Sequence, residues 1–220
     1  MKNLVMIRVP KTGTTHLWAL MEILEHHHPD EVVLRGGHYP VSEVQPVTGS
    51  IWLTMVRNPY QTSLSMFYML RRMAAKPNFD VDQLARIAED PEKKNRFVWT
   101  PHYQHNLGLA RDLSTTPDIW LERSVPNHAL AYHFDTMTPS QFDFVGHTDE
   151  MTTSEALLQE LLPHQPYGHR WNENPDKPIG AKYPEGEYTE AMFRERNARE
   201  YDLFDEGMDR YHQLLTQYNL

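Results

Sequence analysis

Lys11, Thr12, Gly13, Thr14 and Thr15 follow one another directly, and this mixture of ammonium, hydroxyls and a turn-forming glycine suits the binding of a phosphate. Just before it, Leu4, Val5, Met6, Ile7 and Val9 form a near-continuous apolar run, the pattern of a parallel strand buried on both faces. Pro10 and Gly13 end that strand and turn the chain. Thr14 or Thr15 can then cap a helix whose Leu17, Leu20, Met21 and Leu24 fall on one side. Open backbone N–H groups, hydroxyls and the Lys11 ammonium are thereby aimed at one point beyond a strand's carboxyl end.

A second anion-binding set stands further on. Ile51 to Val56 reads as a strand that ends at Arg57, Pro59 is placed to open a helix, and Tyr60 to Met73 carry a helical pattern. Ser65 follows Arg57 by eight residues, so it lies one to two turns into that helix and both side chains can reach one dianion. Arginine offers a planar fork to phosphate oxygens and serine adds a directed hydroxyl. A proton acceptor is available in His38, which follows a short strand from Glu31 to Leu34 and the Gly36-Gly37 hinge. An imidazole has a pKa of about 6.5 and accepts a proton at working pH without a large shift. Glu43, Glu31 and His16 are the reserve candidates. No metal site is expected: His26, His27 and His28 are contiguous, and His102 with His105 has no acid at ligand spacing.

The elements that must carry these groups define an α/β fold. Two strand-to-helix units within the first 75 residues imply a right-handed parallel sheet, and the expected architecture is a three-layer sandwich with about five strands flanked by helices. Val81 to Ala88 and His102 to Leu113 read as helices, with breaks at Asp90-Pro91 and Thr100-Pro101. Ile119-Trp120-Leu121 is a strand candidate with a helix from Pro126 to His133 after it, and Phe142 to Val145 is a better strand followed by a helix from about Thr153 to Leu162. Pro163 to Glu187 reads as a long loop, a kind of segment that is often functional. Tyr201, Phe204, Met208, Tyr211, Leu215 and Tyr218 draw one apolar stripe along a closing helix.

Composition limits the function classes. The 220 residues suit a single domain over positions 1–220, and the formal net charge of -9 argues against a general nucleic-acid binder. The absence of cysteine removes disulfides, zinc-thiolate sites and thiol nucleophiles, as suits a reducing compartment. No apolar run approaches the roughly 20 residues of a membrane span. The expectation is a soluble, cytoplasmic protein without membrane contact.

Pro10 to Thr15, PKTGTT, resembles the 5'-phosphosulfate loop of sulfotransferases that use 3'-phosphoadenosine 5'-phosphosulfate (PAPS). Val56-Arg57-Asn58-Pro59-Tyr60 with Ser65 resembles the 3'-phosphate motif of the same family. Phe144 to Glu150 is similar to its Val-Gly-Leu-Thr-Glu turn, with His147 in the apolar place and one extra acid; that turn is chiefly architectural. Ile179 to Pro184 resembles the late Gly-x-x-Lys loop of glycan-acting members, and Gly37-His38-Tyr39-Pro40 the His form of their base.

The resemblance implies a P-loop-like sulfotransferase fold and transfer of a sulfuryl group from PAPS to a hydroxyl of a carbohydrate or other small acceptor, without a metal. It implies that Lys11 neutralises the leaving phosphate and His38 is the catalytic base. Lys11, Thr12, Gly13, Thr14 and Thr15 would hold the 5' end of the nucleotide, and Arg57, Ser65 and Lys182 the 3' end. Tyr39, Tyr68, Trp99 and Tyr103 are candidates for an acceptor cleft, the alternative for each being the core. Two other classes compete. A nucleotide kinase or triphosphatase would use the same sheet edge, but its GxxxxGK[ST] loop sets Lys after a second Gly, whereas Lys11 precedes the single Gly13. A non-catalytic phosphoadenosine-binding module would keep Lys11, Arg57 and Ser65 without needing His38.

Overall fold

A computed structural model describes residues 2–45, 47–75, 101–124, 129–162 and 182–220. Four strands, β1 (Lys2–Ile7), β2 (Val32–Gly37), β3 (Ile51–Val56) and β4 (Phe144–His147), form one all-parallel sheet in the order β2-β1-β3-β4. Eight α-helices are present among the described residues: α1 (Thr14–His27), α2 (Pro59–Ala74), α3 (Pro101–Arg111), α4 (Pro117–Arg123), α5 (Ala129–His133), α6 (Met151–Leu161), α7 (Glu190–Arg196) and α8 (Ala198–Tyr218). The chain is therefore α/β with a parallel sheet, as expected, and the described sheet has four strands rather than about five.

The chain divides into two compact units. The first holds residues 1–58, 129–182 and 199–220 and contains the whole sheet. Its apolar runs explain it: Leu4, Val5, Met6 and Ile7 of β1 are fully buried, with strands on either side. Leu17, Leu20, Met21 and Leu24 of α1, Leu157 and Leu158 of α6, and Leu203, Tyr211 and Leu214 of α8 complete one core. Gly207 lets α8 pass close to the end of β3, where a Cβ would meet Val56 Cγ1 at 2.8 Å. From α8 the buried Glu200 carboxylate accepts the Leu130 and Ala131 amides at 2.9 and 3.1 Å. Burial pushes the pKa of Glu200 up to about 7 against those bonds.

Because the sheet is parallel, all four strands end at one edge. β1 leads to β2 on one side and the chain then crosses to β3 on the other, so strand order reverses between β1 and β3. Open parallel sheets bind ligands at such a crevice beyond the carboxyl ends.

The second unit holds residues 59–128 and 183–198. Trp120 of α4 is fully buried, packs on Phe67 of α2 with ring centroids 5.3 Å apart, and donates Nε1–H to Ser63. Tyr68 stacks on Tyr183 at 4.9 Å. The expected strand at Ile119 to Leu121 is instead the middle of α4. Thr116 accepts the Ile119 amide and Pro117 occupies the first turn, which starts a helix before three apolar residues can extend. The expected elements at 81–88, the breaks at 90–91 and 100, Trp99, the Tyr103 side chain, the start of the 126–133 helix and most of the 163–187 loop lie outside the described residues.

Candidate functional site

The first unit brings four chain turns to the carboxyl edge of the sheet. The turn after β1 carries the PKTGTT loop, and its conformation is unusual. Lys11 has φ 63° and Gly13 φ 76°. Gly13 is the N-cap of α1, with no side-chain cap bond, so neither Thr14 nor Thr15 caps the helix. Only glycine suits the position, since a Cβ would meet Met151 Cε at 2.7 Å. The left-handed Lys11 costs about 1 to 3 kcal/mol and persists because the surrounding bonds over-determine it.

Those bonds revise the expected role of two threonines. Thr12 and Thr14 are buried, and both hydroxyls donate to the Val9 carbonyl, at 2.8 and 2.9 Å. They brace the loop from inside instead of donating to a ligand. The main-chain amides of Thr14 and Thr15, in the first turn of α1, have no hydrogen-bond acceptor among the described residues. A phosphate at this loop would meet backbone N–H groups and Lys11, with the Thr15 side chain exposed at its edge.

His38 emerges beside this loop. β2 stays paired with β1 through Gly36 and Gly37, opposite Met6 and Ile7, so the glycines belong to the strand and release comes only at His38. A Cβ on Gly36, φ 104°, would lie 2.2 Å from the Met6 carbonyl oxygen, which is why the close pairing requires glycine. Arg8 N–H donates to Gly37 O at 2.8 Å, and His38 Nδ1 donates to Arg8 O at 2.6 Å. A carbonyl only accepts, so Nδ1 carries the proton and the neutral ring keeps its lone pair on Nε2. Burial first, then the Arg8 charge, lower the His38 pKa to about 4, against the pull of the Arg8 carbonyl. The unshifted value expected from the sequence is therefore corrected: His38 is a neutral acceptor throughout the physiological range.

Arg57 leaves β3 on the other side of β1. It is 7% exposed, Nη1 donates to Lys11 O at 3.3 Å, and Nε lies 3.8 Å from Asp149 Oδ1. The turn after β4 supplies this acid and a clamp. The Thr148 hydroxyl engages Thr12 O at 2.7 Å and Val56 O at 3.1 Å, tying the Pro10 to Thr15 loop to the end of β3. His147, opposite Val56 in the sheet, has its pKa lowered by burial, opposed by Asp149 and Glu150 and assisted by Lys182. Lys182 is exposed and contributes charge at this end of the edge.

The reserve bases are placed elsewhere. Glu31 precedes β2, at the amino edge, where Lys2 N–H donates to its carbonyl oxygen. Glu43 is exposed in a 3-10 turn after β2. His16 is buried and its Nε2 lies 2.8 Å from Glu155 of α6. Ser65 lies on α2, buried, in the second unit. No group of three or more metal-ligating side chains occurs among the described residues.

Sequence reasoning missed Thr148 and Asp149 as parts of the site, and Arg8 with Trp18. The Arg8 guanidinium lies over the Trp18 ring at 5.0 Å, and both line a groove of about 560 Å³ along α1 that also includes Thr15 and Glu22. The available signal was positional: each of these groups, Trp18 excepted, directly follows an apolar strand run. Compared with known proteins, the chain matches no family model, no curated protein and no solved structure.

Proposed function

We propose that this chain is a sulfotransferase with a P-loop-like sulfotransferase fold, moving a sulfuryl group from PAPS to a hydroxyl of a carbohydrate or other small acceptor. The observation that carries the reading is the order of groups at the reversal point: Lys11 and the open amides of α1 in the middle, His38 on one side and Arg57 on the other. A phosphate cradle, a neutral base and a second cation at a single edge suit a nucleotide charged at both ends.

The donor would supply the sulfuryl group and depart as 3'-phosphoadenosine 5'-phosphate. His38 Nε2 takes the proton from the acceptor hydroxyl, and Arg8 O stabilises the imidazolium through Nδ1–H. Lys11 offsets negative charge at the loop, where the α1 amides add their dipole. Thr12 and Thr14 hold the loop in shape, and Arg57 binds the distant phosphate. The resemblance adds Lys182 to that end. No step needs a metal ion.

The test is a transfer assay with PAPS and a panel of sugar and phenolic acceptors, run with and without chelator. Formation of sulfated product and 3'-phosphoadenosine 5'-phosphate, unaffected by chelation, is the expected result. Magnesium-dependent turnover of ATP with no sulfuryl transfer would instead favour a kinase or triphosphatase.

A further inference from the structure

Asp149 enters the site from the turn after β4, and the chemistry proposed above does not use it. Its Oδ1 is buried, lies 3.8 Å from Arg57 Nε and makes no hydrogen bond among the described residues. That spacing is an ion pair without a hydrogen bond. The carboxylate is fixed there, because its neighbour Thr148 is bonded to both Thr12 O and Val56 O. A carboxylate beside an arginine, with no hydrogen bond between Nε and Oδ1, balances charge more than it locks geometry, while Arg57 Nη1 is held by Lys11 O.

Resting on the nucleotide reading, we propose that Asp149 is the resident counter-ion of Arg57: it neutralises the guanidinium in the free protein and gives it up to the 3'-phosphate when nucleotide binds. Binding then exchanges one counter-ion for another instead of creating a new ion pair. The carboxylate lowers nucleotide affinity in two ways, by stabilising the free protein and by repelling the arriving dianion. Affinity is thereby limited, which keeps binding reversible. His147 also faces Asp149, and the loss of this charge would lower the His147 pKa further.

The test compares wild type with Asp149→Asn, Asp149→Glu and Arg57→Ala. Calorimetry with 3'-phosphoadenosine 5'-phosphate and with ADP is paired with melting temperatures measured with and without the first ligand. Asp149→Asn should bind the 3'-phosphorylated ligand at least about tenfold tighter, the Coulomb effect of a dianion roughly 6 Å from a unit charge in a water-like medium. ADP affinity should stay unchanged. Free Asp149→Asn should melt below wild type, and its melting temperature should rise more on ligand addition. Asp149→Glu should stay near wild type; Asp149→Ser replaces Asn if the latter does not fold. Weaker or unchanged binding by the neutral variants, with Arg57→Ala still weakening wild-type affinity, would overturn the counter-ion role alone. Failure of wild type to prefer the 3'-phosphorylated ligand over ADP would remove the nucleotide reading and this role with it.

Discussion

His38 Nδ1 donates to the carbonyl oxygen of Arg8 at 2.6 Å, so the imidazole is tied to the residue that leads into the Pro10 to Thr15 loop. The bond fixes which nitrogen can accept a proton. His38→Ala should abolish sulfuryl transfer and leave nucleotide affinity nearly intact, measured by initial rates and calorimetry. Full residual activity would remove His38 as the base.

The same histidine sets a pH dependence. Its folded pKa, about 4, lies below the ordinary 6.5, so the folded chain holds fewer protons between those values. Its contribution to stability is present above pH 6.5 and is lost as pH falls toward 4. Denaturant midpoints should therefore decline over that window in wild type and decline less in His38→Asn. On the proposed reading, the transfer rate at low acceptor concentration should stay flat from neutral pH downward and drop only near pH 4, since it reports the unliganded protein.

Lys11 combines charge with strain, and two substitutions separate them. Lys11→Ala and Lys11→Gly should both lower turnover. The glycine variant should be the more stable of the two by about 1 kcal/mol, because φ 63° disfavours any Cβ. Equal denaturation midpoints would show that the loop relaxes around alanine.

Thr148 bridges Thr12 O and Val56 O. Thr148→Val keeps the shape and removes both bonds, so it should cost about 1 to 3 kcal/mol of stability, read from denaturant unfolding. It should also weaken nucleotide binding by loosening the loop relative to Arg57. Unchanged stability would mean that the turn is held by packing alone.

The parallel sheet was legible because its strands are short apolar runs that stop at polar turns: β3 matches Ile51 to Val56, and Lys11, His38 and Arg57 all fall at strand exits. Periodicity could not show how side chains spend their hydrogen bonds. Thr12 and Thr14 looked like ligand donors, yet their hydroxyls turn inward to Val9 O. The His38 pKa depends on burial and on Arg8, residues brought together by pairing across β1 and β2. Asp149 lies far from Arg57 in sequence, and only the β3–β4 register places it alongside. Ile119 to Leu121 misled because three apolar residues fit a strand or a helix, and the cap at Thr116 decides.

The proposed nucleotide site reads a phosphate at each end of an adenosine. Calorimetry of the intact protein with 3'-phosphoadenosine 5'-phosphate, ADP, ATP and AMP tests it most directly. Clear preference for the 3'-phosphorylated ligand is expected, with Arg57→Ala losing roughly 1.5 to 3 kcal/mol for each charge-assisted hydrogen bond removed. Equal affinity for ADP, or an Arg57→Ala variant that binds as tightly as wild type, would contradict it.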